Sequence, residues 1–122
     1  PLSFPAMIRS LKLQKRASEN GFDWENLGDV LKKINEEKEE LEIAINNENR
    51  EEIEEELGDL IFSIINLARK FSIDPESSLR KTNTKFQKRI KYIEQKLEKE
   101  NKKFNKTDLN KLEKLWNEAK NN

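Results

Sequence analysis

"EEELGDLIFSIINLAR", residues 54–69, opens with acid and turns into one of the most apolar runs of the chain, yet Asp59, Ser63 and Asn66 interrupt that run. On a helical wheel of about 100° per residue, Ile53, Leu57, Leu60, Ile61, Ile64, Ala68 and Phe71 gather on one side, which marks a core-facing helix over about 49–72. Glu56, Asp59, Ser63 and Asn66 share a second, polar stripe about 80° wide, with Phe62 and Ile65 keeping much of the remaining surface apolar. A carboxylate placed among residues made to be buried needs a partner, because an unpaired buried charge is costly.

The preceding helix supplies candidates. Over about 25–46, before the break "NNEN", Val30, Ile34, Leu41, Ala44 and Ile45 form an apolar stripe. Glu37 lands inside it and Glu40 on its edge, whereas Glu36 is further round and Glu39 faces solvent. Two helices joined by a short turn pack antiparallel, so the i, i+3 pairs Glu37/Glu40 and Glu56/Asp59 converge. Four half-buried like charges repel strongly, and a divalent cation resolves the conflict. All-oxygen ligation suits a hard ion such as Mg²⁺, with Mn²⁺ as a substitute. The competing arrangement is a buried Lys or Arg paired across the core. Glu39, Glu48, Glu51, Glu52 and Glu54 read as a solvated face.

Further out, residues 5–20 read as a first helix that starts at Pro5 and stops before Gly21. Its "KLQKR" stretch, Lys12, Gln14, Lys15 and Arg16, either closes a pocket or is solvated. "GFDWENLGD" reads as a loop that docks Phe22 and Trp24 on the bundle. Asp74-Pro75 is a start signal for a helix over 75–101, with Leu79, Phe86, Ile90, Ile93 and Leu97 as its core stripe. Lys85 and Arg89 share one flank of it, with Thr82 and Asn83 on the stripe's margin. Such a basic pair beside a metal binds phosphate oxygens, Arg as a fork and Lys as a point charge; the bland alternative is surface pairing with neighbouring acids, which contributes little. Thr107 is a plausible cap for a short last helix carrying Leu109, Leu112, Leu115, Trp116 and Ala119 on one face.

The whole pattern is an all-α antiparallel bundle of four main helices plus a short C-terminal one, and 122 residues suit a single domain. The 24 basic and 24 acidic residues cancel, so no global field attracts nucleic acid or an anionic membrane. The absence of cysteine and histidine removes disulfides, thiolate catalysis, zinc-thiolate sites and the usual general base. With no apolar run near the roughly 20 residues that span a bilayer, a cytoplasmic protein is expected.

Glu36, Glu37 and Glu40, then Glu56 and Asp59 after fifteen intervening residues, make the ordered set EExxE…ExxD. With "LKLQKRASENGFDW" at 11–24 and "TNTKFQKR" at 82–89, the chain resembles MazG nucleoside triphosphate pyrophosphohydrolases over nearly its whole length. The likeness is to the C-terminal of two tandem domains in longer members, which suits a chain that begins at Pro1 without Met. It implies a homodimer whose subunits complete each active site, and Mg²⁺-dependent cleavage of NTPs or dNTPs between the α and β phosphates by activated water. It assigns catalysis and Mg²⁺ ligation to Glu37, Glu40, Glu56 and Asp59, with Glu36 in support. Lys85 and Arg89 take phosphate, and Lys12, Lys15, Asn83 and Trp116 are further candidate nucleotide contacts. Departures are Lys38, where the family often has an apolar residue, and Thr82 in place of Ala. Two other readings stand beside this one: a helical nucleotide-binding or dimerisation module without turnover, and a narrower pyrophosphatase for dUTP, dCTP or phosphoribosyl-ATP.

Overall fold

A computed structural model describes residues 5–23 and 26–122. Among these residues the fold is all-α, as expected: α1 (Ala6–Glu19), α2 (Leu27–Asn46), α3 (Arg50–Lys70), α4 (Pro75–Lys99), a 3₁₀ turn (Phe104–Lys106) and α5 (Leu109–Lys120). The chain divides into two compact units, residues 1–76 and 77–122. No helix among the described residues is long and apolar enough to cross a membrane.

In the first unit the helix ends are set by local chemistry. α1 closes in a Schellman turn, with Phe22 N–H bonding Ala17 O at 2.9 Å and Gly21 N–H bonding Ser18 O at 3.1 Å. Gly21 takes φ = 90°, a left-handed angle that a side chain would strain. That turn carries Phe22 outward, and the expectation that it docks on the bundle is corrected: it is 72% exposed. Trp24 lies outside the described residues.

Asn26 caps α2 by accepting from Asp29 N–H at 2.9 Å, and Asn49 caps α3 by accepting from Glu52 N–H at 3.2 Å. Only three residues, Asn47 to Asn49, separate α2 from α3, so the two helices form an antiparallel hairpin. α1 packs on α3, where Gln14 Nε2 donates to Phe62 O at 2.9 Å.

The buried set of this unit corrects the expected stripes. Val30, Ala44 and Ile65 are buried with Gln14, Glu37, Ser63 and Asn66. Leu57, Ile61, Ile64 and Phe71, expected in the core, are exposed, as is Ile45 on α2. The helices turn the mixed stripe of α3 inward and leave its most apolar face uncovered in the single chain.

In the second unit Ile93 and Leu97 of α4 pack with Leu115 of α5, flanked by Tyr92, Leu112 and Trp116. Lys111 Nζ reaches Glu100 at 3.4 Å and Tyr92 Oη reaches Glu118 at 3.4 Å, so α5 runs antiparallel to α4. With 12 residues against 25, α5 covers only the C-terminal part of α4. Leu79, expected in the core stripe, lies outside that part and is exposed, and Phe86, also expected there, is exposed as well although it meets Trp116 of α5. Leu109, at the first turn of α5, is also exposed. The cap of α5 is Asp108, which accepts from Lys111 N–H at 2.9 Å, whereas Thr107 Oγ1 donates to Lys103 O at 2.7 Å. At the start of α4, Asp74 Oδ1 accepts from Glu76 N–H at 3.1 Å beside Pro75, as the sequence signal required.

Candidate active site

The hairpin brings the acids level. At about 1.5 Å per residue, Glu37 and Asp59 each lie roughly 13 Å from the turn that joins their helices, with Glu56 one turn nearer to it. Carboxylate oxygens of Glu37, Glu56 and Asp59 lie within 4.8 Å of one another. Glu37 is buried, Glu56 half-buried and Asp59 exposed, so the group opens from the α2–α3 seam toward solvent. Glu40 is exposed at the edge of the group, near enough to Glu56 for its carboxyl to act on it. Glu36 is exposed one residue before Glu37.

Burial raises the Glu56 carboxyl above its usual range, and the neighbouring carboxyls of Glu40, Asp59 and Glu37 act the same way. The repulsion anticipated from the helical wheel is therefore present. Glu37 Oε2 and Glu56 Oε2 are buried with no hydrogen-bond partner, although buried polar oxygens are nearly always satisfied. Clustered acids with orphaned oxygens, all hard oxygen donors, fit a divalent ion of the Mg²⁺ or Mn²⁺ type.

Lys33 was not singled out in the sequence. Its Nζ lies 2.8 Å from Glu37 Oε1, one turn away on the same helix, and that bond raises the Lys33 pKa, with Glu36 and Glu40 adding to the pull. Lys33 is a half-exposed neighbour on the same helix, not the buried base across the core that the competing arrangement requires, and it meets one oxygen of Glu37 while the other stays unpartnered. The i, i+4 spacing of Lys33 and Glu37 was the available signal.

A cavity of about 250 Å³ borders the acids, lined by Lys33, Glu37, Asp59, Phe62, Ser63 and Asn66 among others. Ser63 and Asn66, whose roles the sequence left open, both lie in its wall. Ser63 Oγ–H donates to Leu60 O at 2.7 Å, so its proton is committed to the helix backbone. Asn66 Oδ1 accepts from Arg69 Nε at 3.1 Å and Nη2 at 2.8 Å. Arg69 also pairs with Asp23 at 2.7 Å, and Lys70 pairs with the same carboxylate at 2.9 Å, which ties the loop after α1 to α3.

Lys12 and Lys15 are exposed on α1. In the second unit Lys85 and Asn83 are exposed, and the Arg89 guanidinium lies 5.1 Å from the centre of the Trp116 ring, a cation–π distance. Phe86 meets the same indole at 5.6 Å with the rings tilted by 55°. Trp116 thus anchors that unit and orients Arg89.

Residues 4–86 match the family described as phosphoribosyl-ATP pyrophosphohydrolase, a span that includes all the acids and Lys85. The chain is 42% identical over 116 residues to a Thermotoga maritima protein named nucleoside triphosphate pyrophosphohydrolase/pyrophosphatase MazG, covering 95% of this chain and 44% of that protein. It is 36% identical over 122 residues to the nucleoside triphosphate pyrophosphohydrolase of Escherichia coli K12, covering 98% of this chain and 46% of that protein. The chain thus spans a little under half the length of these curated relatives.

Proposed function

The chain belongs to the phosphoribosyl-ATP pyrophosphohydrolase family of MazG-like helical proteins, and from that premise we propose that it hydrolyses nucleoside triphosphates between the α and β phosphates. The observation that carries this reading is the meeting of Glu37, Glu56 and Asp59 beside a cavity, with two of their oxygens unpartnered. Glu37, Glu40, Glu56 and Asp59 would hold Mg²⁺, with Glu36 in support. When bound, that ion supplies positive charge to the phosphate oxygens and acidifies water in its vicinity.

The protein's own groups do the rest. The sequence has no cysteine or histidine and the Ser63 proton is engaged by Leu60 O, which supports water as the nucleophile in this reading. Water oxygen attacks the α phosphorus, the bond from that phosphorus to the bridging oxygen breaks, and the products are a nucleoside monophosphate and pyrophosphate. The carboxylates accept the proton that the water loses. Lys33 holds Glu37 in place and brings positive charge to the wall of the cavity. Lys85 and Arg89 keep the phosphate contacts that the resemblance assigns, and Lys12, Lys15, Asn83 and Trp116 remain candidates for the nucleotide.

The exposed apolar face of Leu57, Ile61 and Ile64 supports a homodimer as the working form, since a face of this kind is ordinarily covered by a partner. The names of the two relatives favour nucleoside triphosphates over phosphoribosyl-ATP as substrate.

The test is a panel of ribo- and deoxyribonucleoside triphosphates and phosphoribosyl-ATP with Mg²⁺ in H₂¹⁸O. Pyrophosphate should form, the label should enter the monophosphate, and Asp59→Asn should lower turnover at least about 100-fold with helicity unchanged. Orthophosphate as the sole product, or full activity in Asp59→Asn, would refute the mechanism. Nucleotide binding without any product would point instead to a module that binds without turnover.

A further inference from the structure

A second cavity of about 100 Å³ lies between α1 and α3 and shares Phe62 and Asn66 with the one beside the acids. Together the two reach the lower end of the roughly 300–1,000 Å³ usual for small-molecule sites. Leu13, Ala17 and Phe62 give the second cavity apolar walls, and Gln14 supplies its most unusual group.

Gln14 is 7% exposed, and its Oε1 is buried with no hydrogen-bond partner. Its orientation is chemically determined. Phe62 O can only accept, so the amide nitrogen must face it, as the 2.9 Å bond has it, and the oxygen must face elsewhere. Asn66 is pinned in the opposite sense: its oxygen is taken by Arg69, which leaves Nδ2 as the group able to donate. A buried, oriented and unsatisfied acceptor is costly unless a ligand donor meets it.

We propose that this second cavity is the nucleobase subsite, and that Gln14 Oε1 accepts a hydrogen bond from an N–H on the base edge while Leu13, Ala17 and Phe62 enclose the ring. The inference rests on the pyrophosphohydrolase reading, which places the phosphates at the acids and therefore sends the base away from them, past Phe62 and Asn66. Bases presenting a ring N–H beside a carbonyl, as in uracil and hypoxanthine, match the acceptor of Gln14 with the donor of Asn66. Removal of that N–H leaves Gln14 Oε1 unsatisfied in the complex, a loss that costs about 10- to 100-fold in affinity.

The experiment separates base recognition from turnover. Equilibrium binding to the 122-residue chain is measured for α,β-methylene-UTP against its 3-methyluracil counterpart, and for the ITP analogue against its 1-methylhypoxanthine counterpart. Each methylated base has lost its one ring N–H donor. The wild-type chain should bind the methylated members about 10- to 100-fold more weakly. Gln14→Met, which keeps the length and removes the acceptor, should bind both members of each pair within about 3-fold of each other. Equal affinity for both members in the wild type would overturn the proposal, as would an undiminished gap in Gln14→Met. If Gln14→Met does not fold, the wild-type pairs alone decide. Pyrophosphate released from UTP is scored separately: binding that depends on the N–H without pyrophosphate sinks the hydrolase reading and keeps this one, and the converse result does the opposite.

Discussion

Replacement of Leu57, Ile61 and Ile64 by Ser, singly and together, tests the apolar face of α3. These side chains are 45%, 47% and 47% exposed in the single chain, so roughly half of each remains to be covered. Full burial of such a side chain contributes about 1.5–3 kcal/mol, and covering the exposed half contributes about 1 kcal/mol. In a two-fold symmetric dimer each contact occurs twice, which makes about 2 kcal/mol per substitution and about 6 kcal/mol for the triple variant. The dimer dissociation constant should rise about 30-fold for each single change and about 10⁴-fold for the triple. Sedimentation equilibrium across a wide concentration range reads this directly, with circular dichroism confirming that the helices persist. A wild-type chain that stays monomeric throughout would refute the reasoning, and so would a triple variant that dimerises as tightly as wild type.

Glu56→Gln should stabilise the metal-free chain at neutral pH. The folded-state pKa of Glu56 is raised, so its destabilising contribution is absent below its ordinary value of 4.5 and grows as pH rises through the folded value. The gap in melting temperature between Glu56→Gln and wild type should therefore close on acidification, whereas a gap that widens would contradict the site's electrostatics. Asp23 has the opposite sign, because although burial opposes it, hydrogen bonds from Lys70 and Arg69 lower its pKa; its stabilisation is present above its ordinary 3.8 and fades as pH falls through the depressed value. Asp23→Asn should flatten the acid limb of a pH–stability curve. Lys33→Met leaves the Glu37 carboxylate without its 2.8 Å partner and should cost about 1–2 kcal/mol in metal-free melts, with Mg²⁺ recovering part of the loss. Ile93→Ala opens a cavity in the second unit, where Ile93 is 2% exposed, and should cost about 2–5 kcal/mol in denaturant unfolding.

The helices were legible because their signals are local. Asp74-Pro75, Gly21 and the Asn-rich break after Asn46 each act on the backbone of the residues beside them, and the structure places helix ends there. Which face of a helix is buried is not local. The wheel of α3 ranks its residues by type, and by type Leu57, Ile61 and Ile64 belong inside. Yet the side turned to α1 and α2 carries Ser63 and Asn66, whose polar groups are met by Leu60 O and Arg69. A side chain's hydropathy says that it must be covered, and does not say by which element or by which copy of the chain. The same gap explains Leu79, which has the right periodicity on α4 but lies beyond the cover of the 12-residue α5.

The acids could be found in advance because a carboxylate within an apolar stripe is an inconsistency visible in one dimension, and Glu37 and Asp59 both carried it. Lys33 and Gln14 carried none. Lys33 sits in a chain crowded with Lys–Glu spacings, of which Lys38–Glu42, at 3.6 Å and well exposed on both sides, is the ordinary case. What separates the two pairs is the burial of Glu37, which depends on α3 folding back across α2. Gln14 lies within "KLQKR", where every neighbour but Leu13 is basic, and its significance arises only when Phe62 O occupies its nitrogen and turns its oxygen inward. A charge out of place is written in the sequence, whereas a neutral amide becomes informative only once its partners have been chosen for it. The proposed contact of a base with these amides is therefore the part that motif spacing conceals, and the acidic cluster is the part that it displays.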